Sequence, residues 1–406
     1  MSMSDSRKYK AYIELIIATV CITILYLILR DFRLSELLPI DEGKAMDRFI
    51  ADFIVSGTET DRGFFAVCQY NVQNMVIYLF SRITGNRIIG VNIYYILTFF
   101  AISFSSYWLL TKVGVSHAVS VFGAILLSVL PYHTDRGVMQ VITSGFFMVP
   151  VIMGIFYDIY FAEKYQKEEQ RINRIYVVVL LMLPWIDINL TFMTAILMVM
   201  LCLQRHRKDT TYLSAVYGLP MLIEALVIYN IAHMGTKTNL TEAVEKAKEE
   251  GLRILDFIMP VRRHIYDRFF NLRYDYDVAF GASGESGLNT LGLLLSICFV
   301  SGILELLFSK KDNPLVKWLS WMNIVVILFA NISGFGLLVE YVGIHVTFWN
   351  RMGIFIIVSS AVIMGIYADQ IKTILQNKAN KVICNITFVF VAIVAILDVL
   401  LRHAPV

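Results

Sequence analysis

Apolar positions along this chain come in long runs rather than in alternation. Segments 88–110, 289–308 and 382–401 hold almost no charge, and each is long enough to cross a bilayer, which takes about 20 apolar residues as helix. The pattern predicts eleven spans, at 11–29, 88–111, 115–131, 138–163, 175–186, 191–204, 212–233, 289–308, 316–333, 352–369 and 382–401. The region 175–204 reads either as one long helix or as two short ones. Lys164, Lys167, Arg171 and Arg174 precede it, and Arg205, Arg207 and Lys208 follow it. Both flanks therefore belong in the cytoplasm, and an even number of crossings is needed. The expectation is a hairpin whose tip is Trp185 to Asn189, with Pro184 breaking the helix just before it.

Two further stretches follow a helical period but are amphipathic. Met46, Phe49, Ile50, Phe53 and Ile54 share one face, as do Val72, Met75, Val76, Leu79, Phe80 and Ile83. Gln73, Asn74, Tyr78 and Arg82 lie opposite the second stripe. Such helices are expected to lie in the membrane interface, apolar side toward lipid.

Composition strengthens the picture. The 406 residues are 57% hydrophobic and 17% charged, against about a quarter charged in a soluble domain. Mean hydropathy is +0.66. This excludes a water-soluble enzyme, a nucleic-acid binder and an outer-membrane barrel, whose strands would alternate. The five cysteines are scattered and define no disulfide framework or zinc site. The fold class expected is all-α, a polytopic membrane bundle of about eleven helices forming one transmembrane domain over 1–406. The first apolar run also fits a signal peptide, but Arg30, Asp31, Phe32 and Arg33 follow it in place of a small-residue cleavage site. It reads as a retained span.

Arg7, Lys8 and Lys10 place the N-terminus in the cytoplasm. Counting crossings from there leaves loops 30–87 and 234–288 external. The polar residues then collect on that external face: Asp41 and Glu42, His133 and Arg136, Asp187, and Glu340, His345, Asn350 and Arg351. Asp41 and Glu42 fit a helix N-cap and first turn, and equally a general base or metal ligand. Asp187 is an ionisable group at membrane depth, a functional candidate by default, or else a cap at the hairpin turn. Loop 234–288 holds Arg253, Arg262, Arg263, Arg268 and Arg273 among nine acidic residues. These arginines suit forked recognition of phosphate, or they pair with the loop's own acids.

The order of parts resembles the C-type membrane glycosyltransferases, GT-C. More closely, the chain is similar to bacterial multi-span proteins described as sugar-transferring membrane proteins of surface polysaccharide synthesis. The residues carrying the likeness are Asn92 to Phe100, Gly114 to Ser116, Leu130 to Gly137 with Phe146 to Pro150, Glu250 to Leu252 with Pro260 and His264, Glu285 with Leu291 to Leu293, and Trp349 to Arg351. They spread over about 90–360. The group usually has a histidine where this chain has Gln140, and a Gly-Asp pair where it has Ile40 and Asp41.

The resemblance implies a polyprenyl-phosphate-linked sugar donor and a glycan or lipid acceptor at the external face of a bacterial cytoplasmic membrane. It also implies a catalytic set of Asp41, Glu42 and Asp187, and a donor-phosphate set of His133, Arg136, Arg262, Arg263, His264 and Arg351. A divalent cation, Mg or Mn, would be compatible with paired carboxylates. A transporter or flippase of lipid-linked sugars, or a non-catalytic assembly subunit, are the alternative readings. The first would need a polar lane through the spans.

Overall fold

A computed structural model describes residues 3–36, 71–161, 173–205, 208–232, 241, 244–245, 251–261, 264, 270–280, 284–309, 313–332, 334–341, 348–378 and 381–401. Among them the chain is helical, with an isolated bridge between Leu252 and Asn331 and no strand. Eight helices are long and apolar enough to cross a membrane, and three shorter apolar ones, Arg174–Ile186, Gly292–Phe308 and Pro314–Ala330, accompany them. Each predicted apolar segment thus forms helix. The helix predicted over 46–54 lies outside the described residues.

Helix α1 is Met3–Leu29. Helices α2 (Val72–Thr84) and α3 (Arg87–Lys112) form a tight hairpin. Asn71 and Asn86 cap them, each side-chain oxygen accepting two backbone N–H groups of the first turn. Gly85, at φ +67°, ends α2 in the left-handed conformation. Gly90 lets the two backbones touch: a Cβ there would lie 2.0 Å from Ser81 Oγ and 2.6 Å from its backbone nitrogen.

Helix α4 (His117–Ser128) leads into a single turn, α5 (Pro131–Thr134), opened by a proline whose missing N–H costs nothing at that position. The run predicted as one span over 138–163 is divided. A 3-10 turn, Gly137–Gln140, and the short α6 (Val141–Ser144) come first. Helix α7 (Met148–Tyr160) restarts after Gly145. Pro150 lies in the first turn of α7, where its missing N–H removes no helical bond.

Helices α8 (Arg174–Ile186) and α9 (Ile188–Arg205) divide this region as expected, but α8 runs through Pro184, which does not break it, and the tip shrinks from Trp185–Asn189 to Asp187 alone. Then follow α10 (Lys208–Ala232), α11 (Leu272–Phe280), α12 (Gly292–Phe308), α13 (Pro314–Ala330), α14 (Gly336–Tyr341), α15 (Gly353–Lys378) and α16 (Lys381–Leu400).

The core runs through α3, α4, α7 and α15, where Ile102, Leu127, Ile152, Phe156, Ile356 and Ile363 are fully buried. Helices α1, α10 and α16 form the rim and expose apolar residues such as Ile28, Ile223 and Phe390, as expected of surfaces facing lipid. Helix α2 obeys the same inverted logic. Its polar Gln73, Asn74 and Ser81 are buried against the protein, while Leu79 and Ile83 face outward.

Candidate functional site

Arg136 sits just past the α5 turn, fully buried, its guanidinium 4.4 Å from the centre of the Tyr132 ring. Gly137, at φ +53°, turns the chain directly after it. Arg136 Nη1 donates to Gln140 Oε1 at 2.9 Å and to Glu285 Oε2 at 2.8 Å. Gln140 Nε2 donates in turn to Glu285 Oε1 at 2.9 Å. Arg351, on a 3-10 turn Trp349–Met352 leading into α15, closes the set. Its Nε reaches Glu285 Oε2 at 3.2 Å and its Nη2 reaches Oε1 at 3.3 Å.

One carboxylate is thus gripped by two guanidinium groups and an amide. Burial alone would push the Glu285 carboxyl up, but Arg136 and Arg351 outweigh it and hold it down at about 2. Donors remain in excess. Among the described residues, Nε and Nη2 of Arg136 have no acceptor although they are buried.

Asp187 lies next to this group. Its Oδ1 accepts the backbone N–H groups of Asn189 and Leu190 at 2.9 and 3.1 Å, so it caps α9. Burial pushes its carboxyl above the usual carboxylate range, and Arg351 pulls it back. A small cavity of about 20 Å³ is lined by Asp187, Arg351, Tyr132, Gln73 and Asn189, room for about one water. The α8–α9 tip is tied to α2: Asn71 Nδ2 and Gln73 Nε2 donate to the Ile186 carbonyl at 2.8 and 3.1 Å.

A second cavity, about 780 Å³, is an open groove along α9 and α10 flanked by Phe329, Phe335 and Leu338. Its lining is almost wholly apolar. Phe192, at its rim, is five residues along α9 from Asp187, a rise of about 7.5 Å.

Other sequence candidates fall elsewhere. His133 is a core residue. It is fully buried against Tyr95 and Phe99, its Nδ1 donates to the Ser128 carbonyl at 2.6 Å, and its Nε2 is 2.8 Å from Thr98 Oγ1. Neither ring nitrogen faces the arginine pair. His264 meets the backbone oxygen of Asp398 on the last helix at 2.5 Å. Arg273 pairs with Asp256 and Asp277 at 3.2 Å each, acids of its own loop. Asp41, Glu42, Arg262, Arg263 and His345 lie outside the described residues. Among the described residues no group of three His, Cys, Asp or Glu is placed to hold a metal ion. Asp41 and Glu42, the paired carboxylates expected to suit Mg or Mn, are not among those residues.

The family described as a domain of unknown function, DUF6311, matches residues 74–336. The chain belongs to this family. No curated protein matches the chain. The matched segment contains Arg136, Gln140, Asp187 and Glu285, whereas Arg351 lies beyond it.

Glu285 and Gln140 are the members of the site that the residue pattern did not nominate for a role. Glu285 appeared only in the likeness to sugar-transferring proteins, and Gln140 only as a departure from it. Their signal lay in that shared placement, not in charge periodicity, because Glu285 is one of nine acids in its loop.

Proposed function

We propose that the chain is an inverting membrane glycosyltransferase of GT-C type, moving a sugar from a polyprenyl-phosphate-linked donor to a glycan or lipid acceptor. The observation that carries the reading is the buried pair Arg136 and Arg351, with guanidinium donors in excess, beside Asp187, with the lining of a large apolar cavity beginning five residues further along the chain at Phe192. Two arginines in a water-poor site suit a phosphate, and the apolar cavity suits the isoprenoid chain that bears it.

In the reaction the acceptor hydroxyl attacks the anomeric carbon. The bond from that carbon to the donor phosphate oxygen breaks, and the pair of electrons leaves with the polyprenyl phosphate. Arg136 and Arg351 stabilise the departing charge. A carboxylate takes the acceptor proton, with Asp41, Glu42 and Asp187 as the candidates. No step is routed through a metal.

The reading includes eleven crossings, the eight long helices and the three short ones, in a bacterial cytoplasmic membrane with the N-terminus inside. Inter-helix polar contacts support that count, because they join positions it puts on one side. On the external side these are Arg136 with Glu285, Arg30 with Asp135, Asn71 with Ile186 and His264 with Asp398. On the cytoplasmic side they are Glu14 with His117, Lys112 with Asp158 and Ser116 with Asp369. Among the described residues of α3 and α4, buried polar groups within the spans are the Asn92 amide and hydroxyls such as Ser103, Ser106 and Ser120. Their charged residues sit only at the helix ends, at Arg87 and Lys112. That favours a one-sided site over a transport lane.

Variants Asp41→Asn, Glu42→Gln and Asp187→Asn, assayed for sugar transfer in proteoliposomes, test the assignment of the base. One of them abolishes transfer with folding intact if the reading holds. Full activity in all three would remove the carboxylate-base mechanism.

A further inference from the structure

Glu285 binds the arginine pair in the manner of a ligand. Its two oxygens accept four hydrogen bonds, from Arg136 Nη1, Gln140 Nε2, and the Nε and Nη2 fork of Arg351. A forked guanidinium grip of this kind fits a carboxylate and a phosphate equally.

The seat and its occupant are not built alike. Arg136 is fully buried on the Tyr132 ring, and Arg351 lies 4.0 Å from the centre of the Phe348 ring at the foot of α15. Glu285 sits near the start of a short 3-10 helix, Gly284–Asn289, a form with weaker hydrogen-bond geometry than an α-helix. That helix is anchored downstream of Glu285. Ser286 Oγ accepts Arg253 N–H at 3.1 Å, and Asn289 Nδ2 donates to the Ser286 carbonyl at 3.1 Å. The Glu285 and Arg351 side chains each keep 16% of their surface exposed, whereas that of Arg136 keeps none. Glu285 has a route out of the seat that Arg136 lacks.

The donors are not used up either. Glu285 bridges the two guanidinium groups and Asp187 lies near both, yet Nε and Nη2 of Arg136 stay without an acceptor among the described residues. A carboxylate has two oxygens to offer. The donor's phosphodiester offers two free oxygens in the same way, and the lipid phosphate monoester released from it offers three and carries more charge, so it uses donors that Glu285 leaves idle.

We propose that Glu285 is an internal stand-in for a lipid-linked phosphate, holding the Arg136–Arg351 seat closed until that phosphate displaces it. The inference rests on the reading that this pair takes the donor phosphate, and adds how the site is regulated. With no donor bound, the guanidinium groups stay paired and the buried charges stay compensated. When the phosphate enters, Glu285 swings out and the Gly284–Asn289 turn loosens.

The test uses the full-length protein in detergent with citronellyl phosphate, a short isoprenoid phosphate, and with uncharged citronellol as control. Removing the competing charge by Glu285→Gln should tighten citronellyl phosphate binding roughly tenfold, the weight of about one charge-assisted hydrogen bond. Citronellol binding should not change. Equal or weaker binding of the phosphate by the variant, or no binding by either protein, overturns the proposal and leaves Glu285 a structural counter-ion.

Wild type supplies a second measurement that does not depend on the variant folding. Backbone hydrogen exchange over 284–290 should quicken when citronellyl phosphate binds. Slower or unchanged exchange also overturns the proposal. The two readings fail separately: tighter binding by Glu285→Gln with no sugar transfer by wild type removes the transferase, while transfer without tightening removes the stand-in.

Discussion

Arg136 Nη1 donates to Glu285 Oε2 at 2.8 Å across 149 positions of sequence. This contact brings the turn after α4 onto the loop before α12, and Arg351 and Gln140 complete the grip on the same carboxylate. Removing one partner of a buried pair leaves charge without compensation. Arg136→Met should therefore lower stability by about 3 kcal/mol, read from thermal unfolding in detergent. A change below roughly 0.5 kcal/mol would mean that Arg351 alone satisfies Glu285.

The pH dependence of stability has a definite sign. The Glu285 carboxyl is held at about 2 in the folded protein, below its usual value, so its contribution is fully present above about pH 4.5. It is lost as pH falls toward 2. Wild type should lose melting temperature more steeply than Glu285→Gln between those limits. Parallel acid limbs for the two proteins would place the acid-sensitive group elsewhere.

Asp187 combines two roles that substitution can separate. Asparagine caps a helix about as well as aspartate, whereas alanine costs about 1 kcal/mol at such a position. Asp187→Asn should keep stability within a few tenths of a kcal/mol and Asp187→Ala should not. Sugar transfer lost in the asparagine variant would assign chemistry to the carboxylate, and transfer kept there would leave Asp187 a cap only.

His133 is expected to matter for folding and not for the donor. His133→Phe keeps the packing against Tyr95 and Phe99 but removes the bonds to Ser128 and Thr98, at a cost of about 1–3 kcal/mol. Affinity for an isoprenoid phosphate, measured on the folded variant, should stay within twofold of wild type. A tenfold loss would return His133 to the phosphate site.

The α2–α3 hairpin depends on a missing side chain. A Cβ at Gly90 would lie 2.0 Å from Ser81 Oγ and 2.8 Å from Ser81 Cα, so Gly90→Ala must push α2 away from α3. The expected loss is about 1–3 kcal/mol, together with a weaker hold of Asn71 and Gln73 on the α8–α9 tip. Unchanged stability would show that the hairpin relaxes freely.

The helices were legible in the sequence because lipid imposes long uninterrupted apolar runs, and the Lys and Arg flanks alone split 175–204 into a hairpin at Asp187. The stripe of Leu79 and Ile83 was legible as a lipid-facing surface for the same reason. The breaks near Gly145 and Pro150 were less visible, since an apolar run hides a local change of helix. The site was legible only in part. Arg136, Arg351 and Asp187 stood out as charges beside apolar spans, but which acid would meet the arginines depends on contacts 149 and 66 positions apart. His133 misled because a histidine in a polar-looking turn gives no sign that both its nitrogens are already bonded.

The most direct measurement is sugar transfer in proteoliposomes from a polyprenyl-phosphate sugar to a lipid-glycan acceptor, with wild type and Arg136→Gln side by side. The account predicts an acceptor glycosylated with inversion at the anomeric carbon, one polyprenyl phosphate released per sugar moved, and loss of both in a folded Arg136→Gln. Movement of the intact donor between leaflets with no bond broken would contradict it.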